Sequence, residues 1–111
     1  MGLLTGKYSL NTKPAIDDVR GEAAPEWMKY FINRKPNQVW LDKVNAVREI
    51  LTSAGRTIAQ GAIAWLWARS ENLIPIPGFH TLSQVKENCA SAYFGPLNRE
   101  QMLEINELLG R

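Results

Sequence analysis

Two short stretches of this sequence carry residue types that suit the binding of a phosphate group. The first is residues 1–7, in which Gly2 and Gly6 enclose a small apolar pair and Thr5 and Lys7 stand near the end. Glycine lets the backbone approach a ligand closely, and a hydroxyl and an ammonium group both suit phosphate oxygens. Taken alone, these residues are explained more simply as a frayed terminus with a chance lysine.

The second stretch, residues 74–88, alternates apolar residues with proline, continues through a loop at Gly78 and opens an amphipathic helix at Thr81. In a strand–loop–helix unit the loop amides and the positive end of the helix point the same way, so a bound anion is stabilised. Such units are common in α/β proteins. The pattern becomes specific only through its order after residues 1–7.

The other reactive side chains have structural explanations at this level. Arg20 could be a second phosphate ligand, although a solvated surface arginine is the default. His80, the one histidine, could touch a phosphate, although a solvated loop imidazole is the simpler interpretation. Cys89, the one cysteine, falls on a predicted apolar stripe, which favours a packed thiol over a nucleophile. The sequence therefore predicts no metal site and no catalytic constellation.

Composition indicates an ordinary globular domain. The chain has 111 residues, of which 45% are hydrophobic, and its formal net charge is +2. Lysine and arginine are scattered, so the charge does not favour nucleic acid or an anionic membrane as a partner. A single cysteine fits a reducing compartment, and no apolar run is long enough to span a bilayer. We expect a cytoplasmic protein.

Four helices and one strand are predicted to position the two candidate stretches. Residues 38–54 show a helical stripe that ends at Gly55, and residues 58–69 form a helix that is apolar on nearly all sides and needs neighbours on two flanks. A strand is predicted at 73–77. Helices are then predicted at 82–92 and after Asn98. Capping boxes are predicted at three helix starts, formed by Thr57 with Gln60, Thr81 with Gln84 and Asn98 with Gln101.

Two further predictions concern the buried face of one helix and the long segment before the first helix. The helix at 82–92 is expected to bury a stripe made of Leu82, Val85, Cys89 and Ala92. Residues 9–37 are loop-like, with a short helical turn expected at 26–32 after Pro25.

In order and spacing, five segments resemble the aldo-keto reductases, which are NADPH-dependent (β/α)8 barrels that reduce aldehydes and ketones. The segments are Gly2 to Tyr8, Asp18-Val19-Arg20, Ala62 to Leu66, Ile74 to Gly78 and Glu87-Asn88. The resemblance covers essentially the whole chain. It implies an α/β parent fold, the TIM barrel, of which this chain is an incomplete fragment. Alone, the chain is expected to be mostly α, with about four helices and at most one or two short strands.

On this resemblance, residues 1–111 are the C-terminal cofactor-binding segment: the loop after strand seven, helix seven, strand eight, helix eight and a final helix. Thr5 and Lys7 are the polar contacts of a loop that folds over the cofactor pyrophosphate, and Arg20 pairs with phosphate. Gln84 reads the adenosine 2′-phosphate end, and Glu87 and Asn88 hydrogen-bond the adenine. The full implied set is Gly2, Leu3, Thr5, Gly6, Lys7, Arg20, Gly78, Phe79, His80, Gln84, Glu87 and Asn88.

Two departures from the family pattern bear on the choice between NADPH and NADH. Phe79 occupies a position that is often serine or threonine, and Gln84 occupies one where many members have arginine. A hydroxyl contact and a charge-assisted pairing with the 2′-phosphate are therefore lost. His80 could compensate in part.

The resemblance assigns no catalytic residue to this chain. The family's catalytic aspartate, tyrosine, lysine and histidine belong to the first half of the barrel, and Tyr8, Tyr30, Tyr93 and His80 occupy other positions. We therefore expect no carbonyl reduction by the chain alone, whereas the parent enzyme would take a small carbonyl substrate. Of the substrate-side residues 21–36, Trp27, Tyr30 and Phe31 could line a pocket or only pack the loop.

Two further readings remain open. The chain could be a non-catalytic interaction or regulatory module derived from the same barrel, with residues 58–69 as its partner surface. It could instead be an unrelated helical protein, in which the loops at 1–7 and 78–84 would lie far apart. Because residues 58–69 would face a missing barrel wall, we expect a repacked bundle or self-association through that helix.

Overall fold

The computed structural model describes residues 2–15, 18, 20, 30–33 and 35–111. The chain divides into two compact units, Met1–Asn45 and Ala46–Arg111, and each is considered by itself. Over the described ranges it is mostly helical, with five α-helices and one two-stranded sheet. This composition confirms the predicted fold class, because a chain without the other strands of a barrel can keep helices but cannot build a parallel sheet.

In the first unit, a single 3-10 turn at Leu3–Thr5 lies between Gly2 and Gly6, whose φ angles are 77° and 73°. Both glycines therefore adopt the left-handed conformation that other residues rarely tolerate. Strands β1 (Phe31–Ile32) and β2 (Lys35–Pro36) pair antiparallel, with Phe31 opposite Pro36.

The helical turn predicted at 26–32 is wrong for the part of that range that the structure describes. Phe31 and Ile32 belong to β1, and Asn33 turns the chain with a φ of 50°. Phe31 is buried, and its ring meets the Tyr8 ring edge-on with the centroids 5.2 Å apart. Pro25 and Trp27 lie outside the described residues.

The helix predicted at 38–54 is divided. Helix α1 runs over Gln38–Ala46 and α2 over Arg48–Leu51, and a 3-10 turn follows at Ser53–Gly55. Between the two helices Val47 has a φ of −96° and a ψ of 1°, and beyond α2 the Thr52 hydroxyl donates to the Arg48 carbonyl at 2.9 Å. The extra helix relative to the predicted four comes from this interruption.

Helix α3 (Ile58–Arg69) is the centre of the second unit. It begins at the predicted capping box of Thr57 and Gln60 and packs against α2, α4 and α5. The neighbours that its apolar surface requires are therefore supplied within the unit. Together with α2 and α5 it builds the core, whose buried members are Val47, Ile50, Leu51, Ile58, Ala64, Leu97 and Ile105.

Helix α4 (Leu82–Phe94) starts at the predicted capping box of Thr81 and Gln84, but the stripe predicted to be buried is wrong. Leu82, Cys89 and Ala92 are exposed, whereas Ser91, on the opposite side of the helix, is 1% exposed. The polar face packs inward because Gln60 Nε2 of α3 donates to the Glu87 carbonyl at 2.9 Å.

The strand predicted at 73–77 does not form in the chain alone, because residues 73–79 have no regular secondary structure. Strand geometry needs a neighbouring strand for its backbone groups, and no described strand pairs there. Helix α5 (Arg99–Leu109) follows, with the predicted capping box of Asn98 and Gln101 and with Ile105 buried. None of the described helices is long and apolar enough to cross a membrane.

Replacing Gln60 with leucine should lower the free energy of unfolding by about 1 kcal/mol more than replacing Gln84 with leucine. Both variants lose the side-chain half of a capping box. Gln60 is buried and also ties α3 to the Glu87 carbonyl. Urea unfolding followed by circular dichroism measures the difference, and equal losses would show that the interhelical bond contributes nothing.

Candidate functional site

In the first unit, two cationic side chains of the predicted site converge on the ring of Tyr8. Lys7 Nζ lies 5.0 Å from the ring centroid, and Arg20 Cζ lies 5.6 Å from it. Arg20 Nη1 also donates a hydrogen bond to the Tyr8 hydroxyl. Cations over an aromatic face are held by the ring quadrupole. The structure therefore gathers Lys7 and Arg20, which are far apart in sequence, into one basic cluster.

Asp18 holds the guanidinium of this cluster. Arg20 Nε donates to Asp18 Oδ1 at 2.6 Å, Arg20 Nη2 pairs with Asp18 Oδ2, and the Arg20 backbone N–H donates to Asp18 Oδ1 at 2.9 Å. The side-chain hydrogen bond from Arg20, followed by the backbone one, lowers the pKa of Asp18, and the same pairing raises the pKa of Arg20. Asp18 is therefore ionised at neutral pH and engages Nε and Nη2 of the Arg20 guanidinium.

The turn beside the cluster requires glycine at residue 2 because of its backbone angle. Gly2 has a φ of 77°, whereas a Cβ there would make only ordinary contacts, 3.4 Å from Tyr8 Cε2 and 3.5 Å from Lys7 Cε. The hydroxyl of Thr5 donates to the Gly2 carbonyl at 2.6 Å. Because a hydroxyl has one proton, Thr5 must rotate before it can donate to a phosphate.

In the second unit, the predicted residues Gly78, Phe79 and His80 form an exposed loop before α4. Gln84 Oε1 accepts the backbone N–H groups of His80 and Thr81, at 2.6 and 3.2 Å. The capping box therefore occupies the backbone N–H groups of His80 and Thr81, which the sequence pattern predicts as donors to a bound anion. The carboxamide nitrogen of Gln84 is the donor left for a 2′-phosphate.

Glu87 and Asn88 lie on the same face of α4 as Gln84, because residues three and four apart are neighbours on a helix. All three are half-buried. The Glu87 carbonyl bonds to Gln60, which fixes the rotation of α4 about its axis. The face of α4 that is predicted to hydrogen-bond adenine through Glu87 and Asn88 is therefore turned towards α3.

The sequence pattern does not predict that Tyr8 and Asp18 contact the two cations. Tyr8 is adjacent to Lys7 in the sequence, and Asp18 belongs to the Asp18-Val19-Arg20 motif. An acidic residue two positions before an arginine, in a loop rather than a helix, is the signal that could have indicated the pair.

The first unit contains the donor types that bind a dinucleotide phosphate, an ammonium, a guanidinium and a hydroxyl, beside a glycine that no larger residue could replace without strain. The guanidinium is bonded to Asp18 and Tyr8 and the hydroxyl to the Gly2 carbonyl, so an anion must displace these partners. Across the described parts of the chain, no group of three or more histidine, cysteine, aspartate or glutamate residues could hold a metal ion.

Comparison with known proteins gives one match. A model described as the Aldo/keto reductase family matches residues 1–109. No curated protein and no solved structure matches the chain.

Proposed function

This chain belongs to the aldo/keto reductase family, and on that premise we propose that it is the NADP(H)-binding, C-terminal portion of an oxidoreductase that reduces aldehydes or ketones. Its parent barrel would contain the other strands and the catalytic residues. The dinucleotide, when bound, supplies the hydride for carbonyl reduction. The chain alone is proposed to hold cofactor without turning over a substrate, in the cytoplasm.

The observation that supports this proposal is the convergence of Lys7 and Arg20 on Tyr8. The family resemblance implies a phosphate contact for each of these cations, and each interacts with the same ring. Scattered surface cations are more often solvated and apart. In the proposed role Lys7 and Arg20 of the first unit bind the pyrophosphate. The contacts that the resemblance implies for Gln84 with the 2′-phosphate, and for Glu87 and Asn88 with adenine, stay predictions.

A second candidate is a non-catalytic interaction module from the same barrel. The observation that favours it is the number of exposed large apolar side chains at the start of α4 and just before it, including Ile76, Phe79 and Leu82. This role needs no cofactor. It predicts that NADPH binds to neither the wild-type chain nor its variants.

Replacing Lys7 with alanine should weaken NADPH binding by about five-fold, because one charge-assisted contact to phosphate is lost. Titration of NADPH fluorescence with the full chain measures the affinity. Lys13→Ala is the matched control, since Lys13 is an exposed lysine of the same unit and its loss changes the net charge equally.

The control variant should bind NADPH within about two-fold of the wild type. Absence of NADPH binding by the wild-type chain would overturn the cofactor proposal and favour the interaction module. A parallel titration with NADH should show a preference for NADPH of at most about five-fold, because Gln84 offers the 2′-phosphate one neutral hydrogen bond where an arginine would offer a charge-assisted pair.

A further inference from the structure

Gln60 is a buried amide that links helix α3 to helix α4. It is 6% exposed, and both polar atoms of its side chain are paired. Its Oε1 accepts the Thr57 backbone N–H at 2.9 Å, and its Nε2 donates to the Glu87 carbonyl at 2.9 Å. Burying a polar group is costly unless its hydrogen bonds are made. The side chain therefore belongs to the packing between the two helices and not only to the start of α3.

The capping box alone does not account for glutamine at this position. The side chain at the third position of a helix needs only an oxygen that accepts the backbone N–H of the cap residue, and glutamate serves as well as glutamine. An ionised glutamate, however, would have no proton for the Glu87 carbonyl. The amide nitrogen is what a glutamine adds at residue 60, and the structure uses it for the hydrogen bond to α4.

Helix α3 is itself held in place where Gln60 leaves it. The next residue, Gly61, approaches α2 so closely that a Cβ on it would lie 2.7 Å from the Leu51 Cα. Close-packed backbone atoms have little freedom to shift. Gln60 therefore reaches α4 from a part of α3 that is fixed against α2, so its bond to Glu87 positions α4 and not α3.

The bond is made at the residues for which the family resemblance implies contacts with adenine. Gln60 binds the carbonyl of Glu87 itself, and Asn88 is the next residue along the helix. Gln84 and Ser91 lie one turn before and one turn after them on the same side of α4, and Ser91 is 1% exposed. Since one residue turns an α-helix by about 100°, a hydrogen bond at Glu87 determines the direction in which the Glu87 and Asn88 side chains leave α4.

The chemistry of these two side chains indicates which part of the base they would recognise. Adenine carries an amino group that donates and a neighbouring ring nitrogen that accepts, and carboxylate and carboxamide groups pair with such an edge. Hypoxanthine has a carbonyl in place of the amino group. Given the cofactor role proposed above, on which this depends, we propose that Gln60 is a positioning residue for adenine. Through the Glu87 carbonyl it orients the Glu87 and Asn88 side chains, and it thereby sets the preference of the site for adenine over hypoxanthine.

The affinities of the full chain for NADPH and for its hypoxanthine analogue test this role. Both dinucleotides have the same phosphates and the same fluorescent nicotinamide, so only the base differs. Gln60→Met keeps the length of the side chain and removes its donor and its acceptor. Gln101→Met is the matched control, because Gln101 also completes a capping box in the same unit and its Nε2 also bonds to another element, at Ser53 Oγ and not at α4.

We expect the wild-type chain and Gln101→Met to prefer NADPH over the analogue by at least about ten-fold, and Gln60→Met to show a preference of at most about two-fold. The change should come from weaker binding of NADPH, with the affinity for the analogue nearly unaltered. A partly unfolded variant would bind both dinucleotides less well in the same proportion. The ratio of the two affinities therefore reports the orientation of α4 and not the stability of the chain.

A Gln60→Met chain that keeps the wild-type preference would overturn the positioning role and leave cofactor binding intact. An equal loss of preference in Gln101→Met would also overturn it, because the effect would then not depend on the bond to α4. So would a wild-type chain that binds the two dinucleotides equally, since the adenine edge would not be recognised. A wild-type chain that binds neither dinucleotide would contradict the cofactor role itself, and the positioning role with it.

Discussion

Replacing Gly61 with alanine should destabilise the Ala46–Arg111 unit by at least about 2 kcal/mol. A Cβ on Gly61 would meet the backbone of Leu51, with the carbonyl oxygen nearest and the carbonyl carbon and Cα at 2.6 and 2.7 Å. Backbone atoms cannot rotate away as a side chain can. Helix α3 would have to move off α2, and the buried side chains of Leu51 and Ile58 would lose packing.

Two effects oppose each other in this substitution. Alanine is preferred to glycine inside a helix by about 1 kcal/mol, which would stabilise α3. Overpacking against an immovable neighbour costs about 3 kcal/mol, and it outweighs the gain in helix propensity. The close approach of two backbones therefore explains why a residue of poor helix propensity stands in the middle of α3.

Urea unfolding followed by far-ultraviolet circular dichroism measures the change. Gly78→Ala is the control, because a Cβ at that position has no atom within 4 Å. That variant should stay within about 0.5 kcal/mol of the wild type. If Gly61→Ala were as stable as Gly78→Ala, the close contact between α2 and α3 would be refuted.

The helix starts could be predicted from sequence because their signals are local. At α3, α4 and α5 the cap and its reciprocal partner are three residues apart, and each capping box is present. No tertiary neighbour is needed to form them. The left-handed glycine at Gly55 belongs to the same class of short-range signal.

The buried face of α4 could not be predicted in this way, since it depends on what lies opposite. The bond from Gln60 to the Glu87 carbonyl and the small, buried side chain of Ser91 hold the polar face against α3. The strand at 73–77 failed for the same reason, because a strand depends on its partner.

The residues of the candidate site stay a prediction, and the structure shows only how some of them interact. Lys7 and Arg20 both contact the ring of Tyr8. The restraint that Asp18 places on Arg20 was not foreseen, because hydrogen bonds between loop side chains have no periodic signal. This restraint has the second large consequence for function.

Replacing Asp18 with asparagine should tighten the binding of NADPH, or of inorganic pyrophosphate, by about ten-fold, or about 1.4 kcal/mol. In the wild type a phosphate must displace the Asp18 carboxylate from Arg20 and also approach a like charge. Asparagine keeps an oxygen that can accept the Arg20 backbone N–H, and it removes the charge. This prediction rests on Arg20 being a phosphate ligand.

Lowering the pH should not tighten NADPH binding in the way that replacing Asp18 with asparagine does. The pKa of Asp18 is lowered by Arg20, so the carboxylate stays ionised as the pH falls through the ordinary range of aspartate, and it protonates only below it. The interaction between Asp18 and Arg20 therefore stabilises the fold fully above the pKa of Asp18 in the unfolded chain, which is about 3.9. This stabilisation is lost as the pH falls through the lower pKa that Asp18 has in the folded chain. Between about pH 6 and 8, binding should therefore differ between wild type and Asp18→Asn by a constant factor.

Calorimetric titration at fixed ionic strength tests the effect, with Asp42→Asn as the matched control. Asp42 lies on α1 in the same unit, and its side chain accepts a hydrogen bond from Gln38 and none that is shown from Lys7 or Arg20. Both variants change the net charge equally, so a general electrostatic effect would tighten binding in both. If only Asp18→Asn binds NADPH more tightly, Arg20 is a phosphate ligand and the Asp18 carboxylate limits access to it. If the two variants bind NADPH with equal affinity, Arg20 is not part of the site.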